Sequence, residues 1–334
     1  MSAGFLSRTG LGLGLLLGRE PVKPDPDGMT TDARDMHAFK RTPQERARRK
    51  AEIMAERAAG VVSHRWRWRR WASIVGFNGL FVLSYWLDLQ LVEGALTASR
   101  VLGFHFADLN SSLQLMLAHK HAVNDFVIGA STVFTLYLLA GGRTFCSWIC
   151  PYHLLSELAE MLHLRLAERR LVKDHELDRR LRTVMFVVFA VLAFASGYTL
   201  FETISPVGIL SRALVYGTVI ALVWIAFLLL VEVFYSRRLW CRYLCPIGLT
   251  YGIVGTVAPV RIVHHLDSCL HEGKCREVCL VPHVLEMTKL GYAAEVNTPI
   301  GPDCTRCAMC IDACPTGALT LDVKGISRPP GTAE

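Results

Sequence analysis

Cysteines carry most of the chemistry available to this chain. There are 11, all between Cys146 and Cys314. The densest stretch holds Cys304, Cys307, Cys310 and Cys314, followed by Pro315. Its spacing, C-x2-C-x2-C-x3-C-P, is the bacterial iron–sulfur run. Two-residue gaps let the backbone curl and aim three thiolates at three irons of one cubane. The fourth cysteine, before the proline, reaches a different cluster. Zinc is the bland alternative, but it usually takes two C-x2-C pairs from separate loops rather than four cysteines in one run.

A second run lies upstream: Cys269-Leu-His271-Glu272-Gly-Lys-Cys275-Arg-Glu-Val-Cys279, then Pro282. Aligned on the same spacing, its first, third and fourth positions are cysteine and its second is Glu272. Cross-ligation between two such runs gives one complete [4Fe–4S] set, Cys304, Cys307, Cys310 and Cys279. Cys269, Cys275 and Cys314 form the other set, one ligand short. That set suits a [3Fe–4S] cluster, or a [4Fe–4S] cluster whose last iron takes Glu272, His271 or water. A degenerate motif with no second cluster is the competing reading.

The other four cysteines belong to an internal repeat. Arg143-Thr-Phe-Cys146-Ser-Trp-Ile-Cys150-Pro151 matches Arg238-Leu-Trp-Cys241-Arg-Tyr-Leu-Cys245-Pro246 in its arginine, aromatic, cysteine and proline positions. Such duplication is common in repeat-built proteins. Brought together by two-fold symmetry, Cys146, Cys150, Cys241 and Cys245 could ligate a further cluster, bind zinc or copper, or cycle between thiol and disulfide. Free cysteine can also serve as a small buried hydrophobe. An odd cysteine count at short fixed spacings argues for metal ligation over a disulfide framework.

The elements that must carry these motifs follow from composition. The chain has 334 residues, 52% hydrophobic, with net charge +7 and mean hydropathy +0.33. Those values point to membrane spans with a small soluble part. Four segments reach span length: 71–92, 126–142, 183–203 and 215–236. Lys and Arg number ten in 41–71 and eight in 142–182, against two in 92–125. The basic side is read as cytoplasmic, which places both termini inside. The Arg–Trp run from His64 to Trp71 reads as an interfacial anchor rather than a nucleic-acid patch. The loop 92–125 has helical apolar spacing.

The expected fold class is therefore an all-α membrane protein with four transmembrane helices in two duplicated hairpins, plus a small cytoplasmic bacterial-type ferredoxin (α+β) domain. The expected divisions are a partly disordered cytoplasmic tail at 1–63, a membrane domain at 64–260, a tandem iron–sulfur domain at 261–325 and a disordered tail at 326–334. The expected location is the bacterial inner membrane, multi-pass, with membrane lipid as a partner and no nucleic acid.

Few other residues suggest chemistry. His119, His121 and Asp125 flank the second span and Asp88 lies late in the first; each could serve a quinone site, and each is as well explained by solvation. His264 and His265 precede the first cysteine run and read as packing residues. No C-x-x-C-H occurs, which excludes c-type haem attachment. No P-loop, dinucleotide glycine motif or Ser/His/Asp arrangement is present, so no residue is assigned as catalytic.

Duplicated C-x3-C-P motifs followed by a tandem ferredoxin region resemble the NapH-type quinol dehydrogenase membrane component, with NosH-type and MauN-type relatives. The resemblance covers about residues 64–322 and is closest at Gly142–Pro151, Ser205–Leu210 and Arg237–Gly248. It implies electron transfer from the quinol pool toward a periplasmic reductase system of nitrate, nitrous oxide or methylamine metabolism. It also implies iron–sulfur cofactors, a subunit role rather than a stand-alone enzyme, and a periplasmic ferredoxin-like or cytochrome partner. Two departures stand out: Glu272 at the second cysteine position, and Leu280 where the family has proline. The competing functions are copper handling in metal-centre maturation and thiol-based redox sensing.

Overall fold

The structure is a computed structural model that describes residues 10–59, 63–88, 92–101, 103–121 and 124–324. The expected tail at 326–334 lies outside the described residues.

Four long helices stand where the spans were expected, but all differ from a membrane span. The first runs Arg65–Trp86 and carries four arginines in its first two turns. The next are Asn124–Ala140 and Arg180–Ser196, of 17 residues each. The last, Leu222–Phe234, has only 13. Glycine sets two of these limits: Gly197 and Gly217 take left-handed φ of 67° and 71° and cap the helices before them. A span needs about 20 consecutive apolar residues. Among the described residues, no helix is long and apolar enough to cross a membrane. This corrects the four-span fold class and the multi-pass inner-membrane location. The argument that placed both termini on the cytoplasmic side loses its basis with them.

The Arg–Trp run is also tied inward. Arg70 is fully buried and pairs with Glu157 on helix Pro151–Glu168. Arg67 Nε reaches the same carboxylate at 3.3 Å, and Trp71 Nε1 donates to it at 3.2 Å. Charges buried this deeply persist when paired.

Nor is the chain all-α. Three short strands, β1 (Val92–Ala95), β2 (Ala98–Val101) and β3 (Phe104–Ala107), form an antiparallel meander. Val92, Ala95 and Ala107 are buried, and the stretch is held by cross-strand pairs such as Val92 with Val101 and Ala98 with Ala107. Asp108 then caps helix Leu109–His119, accepting from the amides of Asn110 and Ser111.

The larger core joins the two repeat copies. It holds Tyr137, Phe145 and Cys150 from the first copy, and Trp240, Cys245, Ile247 and Tyr251 from the second. A second core lies under a three-stranded sheet ordered β5 (Asn297–Pro299), β4 (Val260–His265), β6 (Leu319–Val323), all antiparallel. Val263 faces Pro299 on one side and Thr320 on the other. Both iron–sulfur runs hang from this sheet.

Within the expected N-terminal tail, residues Thr31–Phe39 and Pro43–Ala59 are helical. The first packs on the sheet region through Ala33, with Leu266 and Ala293. His37 Nε2 lies 3.0 Å from the Ala293 carbonyl.

Candidate iron–sulfur centres

The two cysteine runs fold alike despite Glu272. Two positions after the first cysteine, His271 and Arg306 take left-handed φ of 59° and 50°. Two further on, Gly273 and Ala308 do the same at 97° and 58°. Each loop then enters a one-turn helix, Lys274–Glu277 or Met309–Asp312. Non-glycine residues rarely adopt this conformation, and where they do the surroundings must hold it. Arg306 is held by its guanidinium, which donates to the carbonyls of Cys304 at 2.9 Å and Val260 at 3.2 Å. Its amide donates to Cys304 Sγ at 3.4 Å, and the Val281 amide donates likewise to Cys279 Sγ.

Electrostatics sorts the thiols into sets. Burial pushes the Cys279 thiol well up, and the neighbouring Cys307 and Cys304 add to it. Cys310 is raised by burial, then by Cys307, Cys279 and Cys304, and less by Cys275. Cys279 of the first run therefore stands among the three cysteines of the second. A small internal cavity is lined by these four and closed by Ile262, Val281, Leu285 and Ile300. Cys269 is pushed up to about 11 by burial, with Cys275 and Cys314 contributing. Cys275 in turn feels Cys314. The charge of Cys275 reaches Cys310, so the two sets are neighbours.

Such buried thiols are poor thiolates alone, and metal binding is what stabilises the ionised form. Among the described residues, no group of three or more His, Cys, Asp or Glu is arranged around a point as ligands of a single ion. A cubane makes no such demand, because each thiolate binds its own iron. The all-sulfur donor sets, buried and grouped, fit iron–sulfur clusters.

Glu272 faces away from this role. Its side chain is 6% exposed, and Oε1 lies 3.2 Å from Arg57 Nε on helix Pro43–Ala59 and 3.7 Å from Lys274 Nζ. His271 Nδ1 lies 2.8 Å from the Thr288 carbonyl and 3.7 Å from Cys269 Sγ. Burial lowers the His271 pKa to about 4, so the ring is neutral and Nδ1 is the donor. Lys40 donates to the carbonyls of Leu266 and Cys269, the latter at 2.6 Å.

The repeat motifs are superposable in their bonding. The Cys150 amide donates to the Phe145 carbonyl at 3.1 Å, and the Cys245 amide to the Trp240 carbonyl at 2.8 Å. Each bond spans five residues and wraps the first cysteine of its pair in a wide turn. Pro151 and Pro246 then begin new helices, with Cys150 and Cys245 as their N-caps. The prolines therefore start helices, since proline suits the first helical position. All four thiols line one cavity of about 780 Å³ with Arg143, Arg182 and Arg238. Burial raises Cys245 to about 11, with Cys146 contributing from the other copy. Cys150 is raised by burial, then by Cys146 and Cys245.

One carboxylate ties this cavity to the iron–sulfur loops. Asp303, just before Cys304, pairs with Arg143 and, at 3.0 Å, with Arg182; His283 Nε2 is 2.7 Å from its other oxygen. Burial works against the Asp303 anion, but Arg143 and Arg182 win and hold it well below the usual carboxylate range. Ser147 Oγ donates to the Thr305 carbonyl at 2.7 Å and Trp148 Nε1 to that of Arg306 at 3.2 Å. Beside this seam the two repeat copies approach closely at Gly142, whose φ is 79° and whose added Cβ would stand 2.4 Å from Gly255 Cα on the helix Pro246–Gly255.

The remaining candidates lie elsewhere. Asp88, His119, His121 and Asp125 are exposed. His265 is satisfied by Asn297 Oδ1 at 2.7 Å and Thr320 Oγ1 at 2.8 Å. His264 is fully buried and held to about 3, mainly by burial. Sequence reasoning missed the arginine and Asp303 network, and also buried Asp108, which accepts from Tyr251 OH at 2.9 Å. Only the repeated arginine before each C-x3-C-P was a visible signal.

Comparison with known proteins agrees with this geometry. A family described as a 4Fe-4S binding domain matches residues 125–170 and 217–261, one copy of the repeat each. The methylamine utilization ferredoxin-type protein MauN of Methylorubrum extorquens is 32% identical over 288 residues, 83% of this chain and 98% of that protein. MauN of Methylobacillus flagellatus is 31% identical over 76% of this chain and 90% of that protein. The ferredoxin-type protein NapH of Escherichia coli is 30% identical over 78% and 91%. No solved structure matches the chain. The chain belongs to the MauN/NapH family of ferredoxin-type, iron–sulfur electron-transfer proteins.

Proposed function

We propose that this protein is an electron relay that takes electrons from a quinol and hands them to a ferredoxin-like or cytochrome partner of a methylamine- or nitrate-type respiratory system. The observation that carries the relay is the place of Cys279 among Cys304, Cys307 and Cys310, with Cys310 also beside Cys275. This supports one [4Fe–4S] site from Cys279, Cys304, Cys307 and Cys310. It supports a second, three-thiolate site from Cys269, Cys275 and Cys314. Bound there, the clusters take up and release single electrons.

The protein's own part is insulation and charge. Ile262, Val281, Leu285 and Ile300 exclude water from the four-cysteine site. Amides of Val281 and Arg306 donate to the sulfurs of Cys279 and Cys304, which would favour the reduced, more negative state of a cluster bound there. The methylamine assignment draws on the MauN relatives, named for methylamine utilization, and the quinol donor on the resemblance of the duplicated motifs.

Anaerobic protein titrated with a quinol, then with oxidised cytochrome, tests the reading. Visible bleaching and EPR should report cluster reduction by quinol and reoxidation by the acceptor. Clusters that dithionite reduces and quinol leaves untouched would remove the quinol donor while leaving the relay.

A further inference from the structure

The cavity between the repeat copies and the iron–sulfur loops has an unusual wall. Cys146, Cys150, Cys241 and Cys245 line it together with the guanidiniums of Arg143, Arg182, Arg238 and Arg242. Arg143, Arg182 and Arg238 are almost fully buried, at 3%, 3% and 1% exposed. Arg238 is paired with Glu160, but Arg143 and Arg182 share a single carboxylate, Asp303. Their Nε atoms, Nη2 of Arg238, and Nε and Nη2 of Arg242 are buried with no hydrogen-bond partner. Buried unpartnered donors and uncompensated charge are costly, so an anion with several acceptor atoms is the missing partner.

The thiols say which anion. Each repeat copy brings two, half of a cubane's ligand set, and the 4Fe-4S binding domain match covers each copy separately. The wide turns of both copies border the same cavity, which all four thiols line. A cubane with four thiolates carries net negative charge, and its sulfurs accept hydrogen bonds that tune it.

We propose that Cys146 and Cys150 of the first copy and Cys241 and Cys245 of the second jointly ligate one additional [4Fe–4S] cluster, with Arg143, Arg182 and Arg238 as its counter-charges. The inference rests on the iron–sulfur reading above. Its place, across Asp303 and Ser147 from the Cys304 loop, makes it the entry or exit station of the relay.

The test uses full-length protein purified anaerobically, with iron, acid-labile sulfide, zinc and copper counted. Native protein should hold roughly eleven or twelve irons per chain, against about seven or eight for the two ferredoxin-loop sites alone. Cys146→Ser and Cys241→Ser should each lose about four irons, and the double variant no more than either single one, because one cluster spans both copies. EPR signals of the ferredoxin-loop clusters should persist in each variant and mark its fold. In native protein the four thiols should resist iodoacetamide until iron is chelated, a readout that stands even if a serine variant fails to fold. About seven or eight irons with both ferredoxin-loop signals intact would overturn the shared cluster and leave the relay standing. Zinc or copper held by these thiols would do the same. Protein without iron would overturn both.

Discussion

Glu272 and Arg57 meet at 3.2 Å, and the carboxylate so held is the residue standing where the sister loop has Cys307. Loop geometry at this corner is retained, with left-handed His271 and Gly273 matching Arg306 and Ala308. The chemistry is not. An acidic side chain tied to a guanidinium from the N-terminal helix, and also facing Lys274, is a poor candidate to turn and ligate iron. The three-thiolate site is thus expected to hold a three-iron cluster when isolated in air.

Restoring the missing sulfur tests this. In Glu272→Cys the backbone already has the conformation of the complete loop, so the new thiol should fill the open corner. Iron should rise by about one per chain, and an oxidised three-iron EPR signal should disappear. Arg57→Ala should leave that signal in place, because the arginine acts on Glu272 and not on a ligand. An unchanged signal in Glu272→Cys would mean the corner does not face the cluster.

The cysteine sets were legible because ligand spacing is local. Three thiols separated by two residues carry their geometry in the sequence, and the arginine, aromatic and proline frame exposed the repeat. Other features depended on distant partners. The guanidinium of Arg182 finds Asp303 across 121 positions of chain, and no period announces it. The apolar run at 215–236 read as one span because hydropathy does not see that Gly217 turns left-handed and restarts the helix at Leu222. The Arg–Trp run read as an anchor because Glu157, which pairs with Arg67 and Arg70, lies on another helix. The helical spacing of the loop 92–125 is realised at Leu109–His119, whereas the short strands before it mimic that spacing by burying residues three apart, as at Val92 and Ala95.

Gly142→Ala should disturb the contact between the two repeat copies, next to the iron–sulfur loops. The substitution strains a φ of 79° and drives a methyl into Gly255 at 2.4 Å, both of them backbone obstacles. A loss of more than about 1 kcal/mol is expected, since alanine at positive φ destabilises beyond its usual gain. Thermal unfolding should move down and iron occupancy should fall. An unshifted melting temperature would mean the contact yields at little cost.

Acid stability should depend in part on Asp174. Burial opposes its charge, but hydrogen bonds from Arg237, one of them 2.6 Å, and that residue's positive charge hold its pKa below the usual 3.8. A carboxylate depressed in the folded state adds stability that is fully present above its unfolded pKa and is lost as pH falls through the folded value. Asp174→Asn should therefore cost about 0.5–1 kcal/mol at pH 7, the pair being partly screened by solvent. The gap between variant and native melting temperatures should narrow below about pH 4. A gap that stays constant with pH would assign the effect to shape and not charge.

Lys40 gives the sharpest test of whether the N-terminal helices serve the three-thiolate site. Its ammonium is 3% exposed and donates to the carbonyls of Leu266 and Cys269, so it fixes the backbone of a cluster ligand from outside the cluster loops. Lys40→Met keeps most of the stem but leaves both carbonyls unpaired in a buried place, at about 1–3 kcal/mol each. The damage should be local. Cys269 would lose its anchor, while the four-cysteine site, held by Arg306 and the sheet, would not. Iron should therefore leave the three-thiolate site first, with its EPR signal weakened and that of the four-cysteine site retained. Equal loss from both sites would make Lys40 a general fold determinant, and no loss from either would show that the helices sit on the ferredoxin region without supporting its cluster.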